Sequence, residues 1–347
     1  MQKRLDQKLG RIRTGKATRK DFIIADAKDA DMAFGITAPG PEHCVCTHGY
    51  NESEGCFKTL PDYLDQIRRV IEQDIVDIVL LSASNLERLA MDEGRFRRSA
   101  ITPAARANDT TDVWAVRGGR YLVEPSRGFR SATIDHIKYG RIEPNPLKPV
   151  TGADLGLYSV TFTNDLEADH ATLRDFHEFR IEAEKKGFRY FLEVFNPNID
   201  PGLEPAKVGA FLNDSIVRCL AGVARAGRPL FLKIPYNGPG PLEELVAYDP
   251  DLVVGILGGS AGTTLDAFQL IHDAQTHGAR IALFGRKINL SEHPLAFIEL
   301  LRRIVDGEIG PVEAVRAYHA VLDQLGIRPH RPLDEDLQLS GGAKSYR

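Results

Sequence analysis

The sequence predicts an eight-stranded parallel β/α barrel closed on itself, and three observations carry that prediction. Eight apolar, β-rich runs recur along 347 residues, segments of helical period separate most of them, and the first run ends without a glycine-rich turn. Strands that alternate with helices pair in parallel, with the helices outside the sheet. An open doubly wound sheet would instead place a Gly-x-Gly-x-x-Gly turn directly after strand one. Here strand one runs into Asp26-Ala27-Lys28-Asp29.

The N-terminal segment 1–20 is basic, but it carries Asp6, lacks serine and leads straight into a strand. It therefore reads as an opening helix and not as a transit peptide. Strands are expected at 22–27, 77–82, 99–102, 157–163, 190–195, 229–235, 252–259 and 280–285. Helical periodicity covers 61–73, 85–97, 169–186, 206–226, 263–277 and 293–326. Residues 103–154 break the alternation; they are polar and hold WAVRGGRYLV, which reads as a hairpin on a Gly118-Gly119 turn. They form an insertion between strands three and four, over the barrel mouth or against another subunit. One barrel domain is expected over 1–330, with a Pro- and charge-rich tail at 331–347.

Hydrophobic residues make up 43% and charged residues 27%, which suits a large globular core. A formal net charge of −4 gives no electrostatic reason for a nucleic-acid or anionic-membrane partner. No apolar stretch approaches the roughly 20 residues that span a bilayer, and a cytoplasmic location is expected. Four cysteines are too few for a disulfide framework. Cys44, Cys46 and Cys56 cluster with His43 and His48, but Cys-x-Cys is not the spacing of a metal site and no second pair follows, so no metal or other cofactor is expected.

Lys233 is the most informative residue. It lies inside PLFLKIPYNG, where Leu230 to Pro235 are otherwise apolar, and a cation buried there must be paired, reach water or lose its proton. A neutral lysine is a nucleophile. Barrel chemistry gathers at the C-terminal ends of the strands. Those ends carry Asp26 and Asp29, Ser82 and Asn85, Thr102 and Arg106, Thr163 and Asn164, Glu193, Lys233 with Tyr236 and Asn237, Gly258-Gly259-Ser260, and Gly285-Arg286. ILGGSAGTT opens a helix whose N–H groups and dipole would face an anion, and FGRKIN ends strand eight with a glycine and a guanidinium. Loops seven and eight form the phosphate site of many such barrels, so Gly258, Gly259, Ser260, Gly285 and Arg286 are the candidate phosphate binders. Glu193, in FLEVF one strand before Lys233, is either its ion-pair partner or a general acid/base whose proton affinity burial raises.

FLKIPYNG, GGSAG and ALFGRKIN together resemble the class I aldolase barrels of the archaeal-type fructose-bisphosphate aldolase and tagatose-bisphosphate aldolase group, over 22–35 and 155–290. The resemblance implies a β/α barrel in which Lys233 forms an imine with a ketose phosphate, Glu193 carries the proton, and Asp26 is the strand-one aspartate that assists. It also implies an oligomer of identical subunits. The family's tyrosine proton donor has two candidates here, Tyr158 and Tyr236, and the Asp-His or Asp-Gln pair after strand one is replaced by Asp26-Ala27. Class II aldolases place a metal-ligating histidine before the glycine pair, whereas this chain has Leu257. Two alternatives stay open: a barrel that binds a phosphosugar without chemistry, and a related Schiff-base enzyme of transaldolase or thiolase type.

Overall fold

The computed structural model describes residues 2–41, 57–143, 145, 147–259 and 262–340. Eight parallel strands close a barrel: β1 (Ile23–Lys28), β2 (Ile78–Leu81), β3 (Thr102–Arg106), β4 (Leu155–Thr161), β5 (Arg189–Phe195), β6 (Leu232–Ile234), β7 (Val254–Leu257) and β8 (Ile281–Phe284). Their order around the barrel follows the chain, and β8 pairs with β1 through Ile23 opposite Ile281.

Two apolar cores lie on the two faces of this sheet. The inner one holds alternate residues such as Ile23, Ala25, Leu80, Leu157, Phe191 and Phe231, and is joined by Leu5 and Leu9 of the opening helix Arg4–Arg13. That helix plugs one end of the barrel, and Lys8 anchors it by an ion pair of 2.9 Å to the fully buried Asp77. The outer core holds the other half of each strand, including Ile24, Val79, Leu192 and Leu232, against the surrounding helices. Because both faces of every strand are buried, the strands read as continuous apolar runs. Phe191 and Phe231 stack at 4.5 Å between ring centres, directly beneath Glu193 and Lys233 along β5 and β6. A fully buried side chain of this size contributes about 1.5–3 kcal/mol, so the polar end of the barrel rests on a firm apolar floor.

Several expectations need correction. Strand three starts where it was expected to end, at Thr102, and runs through Pro103 to Arg106, so the insertion begins at Ala107. Within it, the paired residues are Asp109–Thr110 with Gly128–Phe129, outside the expected hairpin, whose first arm is irregular after a 3-10 turn at Thr111–Val113 and whose second arm holds a 3-10 turn at Tyr121–Val123. Gly118 does sit at a turn, with a φ of +75° that favours glycine. The segment 85–97 is a short helix followed by a π-helical turn, Glu87–Asp92. The long helical segment 293–326 is two helices, Pro294–Asp306 and Pro311–Gln324, broken at Gly307–Gly310. Helices that were not expected form at Pro239–Tyr248 and at Ile134–Tyr139. None of the helices among the described residues is long and apolar enough to cross a membrane.

Candidate active site

Lys233 points into the barrel. It shares a face with Phe231 of the inner core, is 6% exposed, and stands opposite Glu193 in the β5–β6 ladder. Glu193 in turn stands opposite Ser159 in the β4–β5 ladder. These three residues thus form one inward row, built by register alone. Lys233 Nζ lies 2.5 Å from Glu193 Oε1, and Ser159 Oγ donates to Glu193 Oε2 at 2.6 Å. Gly255, opposite Lys233 on β7, brings no side chain to that row.

Arg106 completes the cluster from the end of β3. Its guanidinium donates to Asp29 Oδ2 at 2.5 Å and to Ser159 Oγ at 3.0 Å, and lies 3.4 Å from Glu193 Oε2. Burial works against that charge, but Asp29 and Glu193 outweigh it and hold the guanidinium's pKa above its ordinary value. Asn108 fixes the β4 backbone here, accepting from the Ser159 N–H at 2.7 Å and donating to its carbonyl at 2.8 Å. Two buried cations and two buried carboxylates therefore occupy one end of the barrel, each within 4 Å of an opposite charge.

Asp26, expected beside the lysine, is elsewhere. It lies on the outward face of β1 with Ile24 and Lys28, fully buried beneath the helices. Its carboxylate pairs with Lys28 Nζ at 3.2 Å, and Lys28 also donates to Asn289. Burial pushes the Asp26 pKa up to about 6 despite Lys28, and it lowers that of Lys28. The strand-one carboxylate that reaches the cluster is Asp29, three residues on and on the opposite face.

The two candidate tyrosines also face outward. Tyr158 stacks on Phe179 at 4.3 Å, and burial raises its pKa above the ordinary value. Tyr236 packs against the outer core, and burial, then Asp273 and Glu243, push its pKa up to about 12. Neither is part of the lysine cluster.

The phosphate candidates are placed unevenly. A Cβ on Gly258 would come within 2.1 Å of the Phe284 ring, and one on Gly285 within 2.9 Å of the Ala27 carbonyl, so both glycines are sterically required. Gly259 faces open space within 4 Å. Arg286 lies 5.6 Å over the Phe34 ring, on the turn that follows β8. Ser260 lies outside the described residues, as do Cys44, Cys46, Cys56, His43 and His48. The helix after β7, Thr264–Thr276, is not the open anion end that was expected. Its first N–H groups are taken by Asp266, which accepts from Thr263, and by Asp336, which accepts from Thr264 at 2.7 Å. The Pro- and charge-rich segment from residue 331 supplies this cap, and Ser340 extends it by bonding Asp266.

Reasoning from the sequence alone missed Ser159 and Asn108. Leu155 and Leu157 give the inward parity of β4, so a serine two residues further on was a legible signal; Asn108 sits past a strand end and gave none.

No protein-family model matches the chain, and no curated protein matches it in sequence. Solved structures do match in fold. An archaeal fructose 1,6-bisphosphate aldolase superposes with a TM-score of 0.59 and 16% identity, covering 87% of this chain and 99% of that one. A Schiff-base-forming fructose-1,6-bisphosphate aldolase gives 0.58 and 16%, over 87% and 99%. A fructose-bisphosphate aldolase from Slackia heliotrinireducens gives 0.62 and 13%, over 94% and 92%. The chain shares the closed β/α barrel of class I aldolases, at identities that speak for the fold alone.

Proposed function

We propose that the protein is a metal-independent, Schiff-base carbon–carbon lyase of class I aldolase type, acting on a ketose phosphate through Lys233. One observation carries this reading: a lysine held inward at the C-terminal end of β6, with its Nζ 2.5 Å from the buried Glu193 Oε1. Glu193 Oε1 accepts a proton from Lys233, and the neutral amine attacks the substrate carbonyl to give a carbinolamine. Glu193 returns the proton to the departing hydroxyl, which leaves as water, and a protonated imine remains. The carboxylate, ionised again, takes the proton of the C4 hydroxyl. The C3–C4 electron pair moves into the iminium, an aldehyde departs, and an enamine stays on the lysine. Protonation of the enamine and attack of water release the second product. The Gly258-Gly259 turn and the Gly285-Arg286 turn are the proposed seat of the phosphate, whose binding orients the carbonyl against the lysine.

The test is borohydride reduction with dihydroxyacetone phosphate, followed by intact-mass analysis and peptide mapping. A reduced adduct on Lys233 is expected. No adduct with that compound or with a panel of ketose phosphates, together with thermal stabilisation by one of them, selects a phosphosugar-binding barrel instead. The full pairing of all four buried charges is the feature that such a barrel would use.

A further inference from the structure

We propose that Arg106 is a positioning residue of the lysine site: its guanidinium secures Glu193 by Oε2 and so reserves Oε1 for proton exchange with Lys233. The inference rests on the Schiff-base reading above.

The two oxygens of Glu193 have different neighbours. Oε2 meets Ser159 Oγ at 2.6 Å and Arg106 at 3.4 Å, whereas Oε1 meets Lys233 at 2.5 Å. Ser159 is itself held by Arg106 at 3.0 Å, so one guanidinium fixes both donors on that oxygen. A carboxylate is free to rotate about its last bond, and its two oxygens are chemically alike. What distinguishes them here is a planar group with several donors set by its own geometry, and Arg106 is fixed in turn by Asp29 at 2.5 Å. The contacts of Arg106 are to Asp29, Ser159 and Glu193, and it acts on Lys233 through Glu193.

The neighbours of the pair leave the guanidinium as the group that holds it. Around Glu193 and Lys233, the turn after β1 contributes Asp29, β3 contributes Arg106, β4 contributes the neutral Ser159, and β7 contributes Gly255 without a side chain. Asp109, just past β3, acts on Arg106 from behind. Arg106 is thus the fixed cation next to the proton-sharing pair. It holds Glu193 by Oε2 with Oε1 toward Lys233, the arrangement in which the lysine proton passes to Oε1 and returns from it to the departing hydroxyl. Without it the carboxylate is free to turn, and imine formation slows.

The test measures the rate of borohydride trapping with dihydroxyacetone phosphate against pH, with melting temperature recorded in parallel, for the wild type, R106M and R106K. In R106M trapping is expected to slow about tenfold or more across the profile, because Glu193 Oε1 is no longer held toward Lys233. R106K keeps the charge but not the fork that serves Ser159 and Glu193 together. Its trapping is expected to slow by less than that of R106M and to remain below the wild-type rate. A wild-type adduct with R106M profiles unchanged in pH and rate, and only the melting temperature lowered, overturns the inference by showing a purely structural arginine. If R106M does not fold, R106K decides: trapping at the wild-type rate overturns the inference. Absence of any wild-type adduct removes the Schiff-base reading and this inference with it.

Discussion

Ser159 and Glu193 stand opposite each other in the β4–β5 ladder, and their side chains meet at 2.6 Å, with Ser159 donating to the oxygen that faces away from Lys233. A serine hydroxyl in that place orders the carboxylate without competing for the lysine. E193Q keeps the shape and removes the proton acceptor, so steady-state cleavage is expected to fall about 10²–10⁴-fold. S159A leaves the acceptor in place and is expected to cost far less turnover, but about 1–3 kcal/mol of stability for the unsatisfied buried oxygen. Kinetics and urea denaturation on the two variants check both statements. Equal loss of turnover in the two would count against Glu193 as the proton carrier.

The paired glycines after β7 have separable roles. G258A drives a methyl group into the Phe284 ring and is expected to lower the melting temperature, whereas G259A meets nothing within 4 Å and is expected to leave it unchanged. If the turn seats a phosphate, G259A raises KM for a phosphorylated ketose by about tenfold or more at constant melting temperature. An unaltered KM in that variant would remove Gly259 from the site.

Asp26 gives the fold a defined pH dependence. An unfolded aspartate loses its proton near pH ~3.9, whereas in the fold burial holds the proton until about pH 6. The folded state therefore binds more protons in this window, and stability falls as pH rises through it, by an amount of order 3 kcal/mol. D26N carries no titrating group at that position. Its urea midpoint is expected to decline less between pH 4 and 6 than that of the wild type, and parallel curves would refute the assignment.

Asp336 makes the opposite case. Burial alone would raise its pKa, but the Thr264 N–H and the His319 ring at 3.0 Å hold it below the ordinary value. Its contribution is present above the normal aspartate range and fades as pH falls. D336N is expected to lower stability at neutral pH by about 1 kcal/mol, the usual worth of a helix cap, and to differ less from the wild type in acid. Thermal denaturation at the two pH values checks this.

The barrel was legible in the sequence because strands buried on both faces leave unbroken apolar runs, such as LYSVTFT and YFLEVF. The same double burial hid which face is inside. Asp26 and Asp29 are three residues apart and so point to opposite sides of β1, and nothing in IIADAKD marks the inward one. Tyr158 and Tyr236 were misassigned for the same reason. Parity becomes visible where a strand carries a chemical contrast, and Lys233 and Glu193 stand out because a charge inside an apolar run is unusual on either face. Strand three was misplaced because Thr-Pro-Ala-Ala-Arg has little β character, and its position is set by pairing with β2. The helix Pro239–Tyr248 was missed because Pro-Gly-Pro reads as a loop, although proline is well suited to a first helical turn.

Barrel closure joins Ile23 to Ile281, the first strand to the last. Until that seam forms, β1 and β8 are open edges whose backbone donors and acceptors can pair with another chain. Loop closure over nearly the whole sequence is slow compared with the local βα contacts. Refolding from denaturant is thus a contest between sealing the seam and edge-to-edge association, with dilution favouring the sealed barrel.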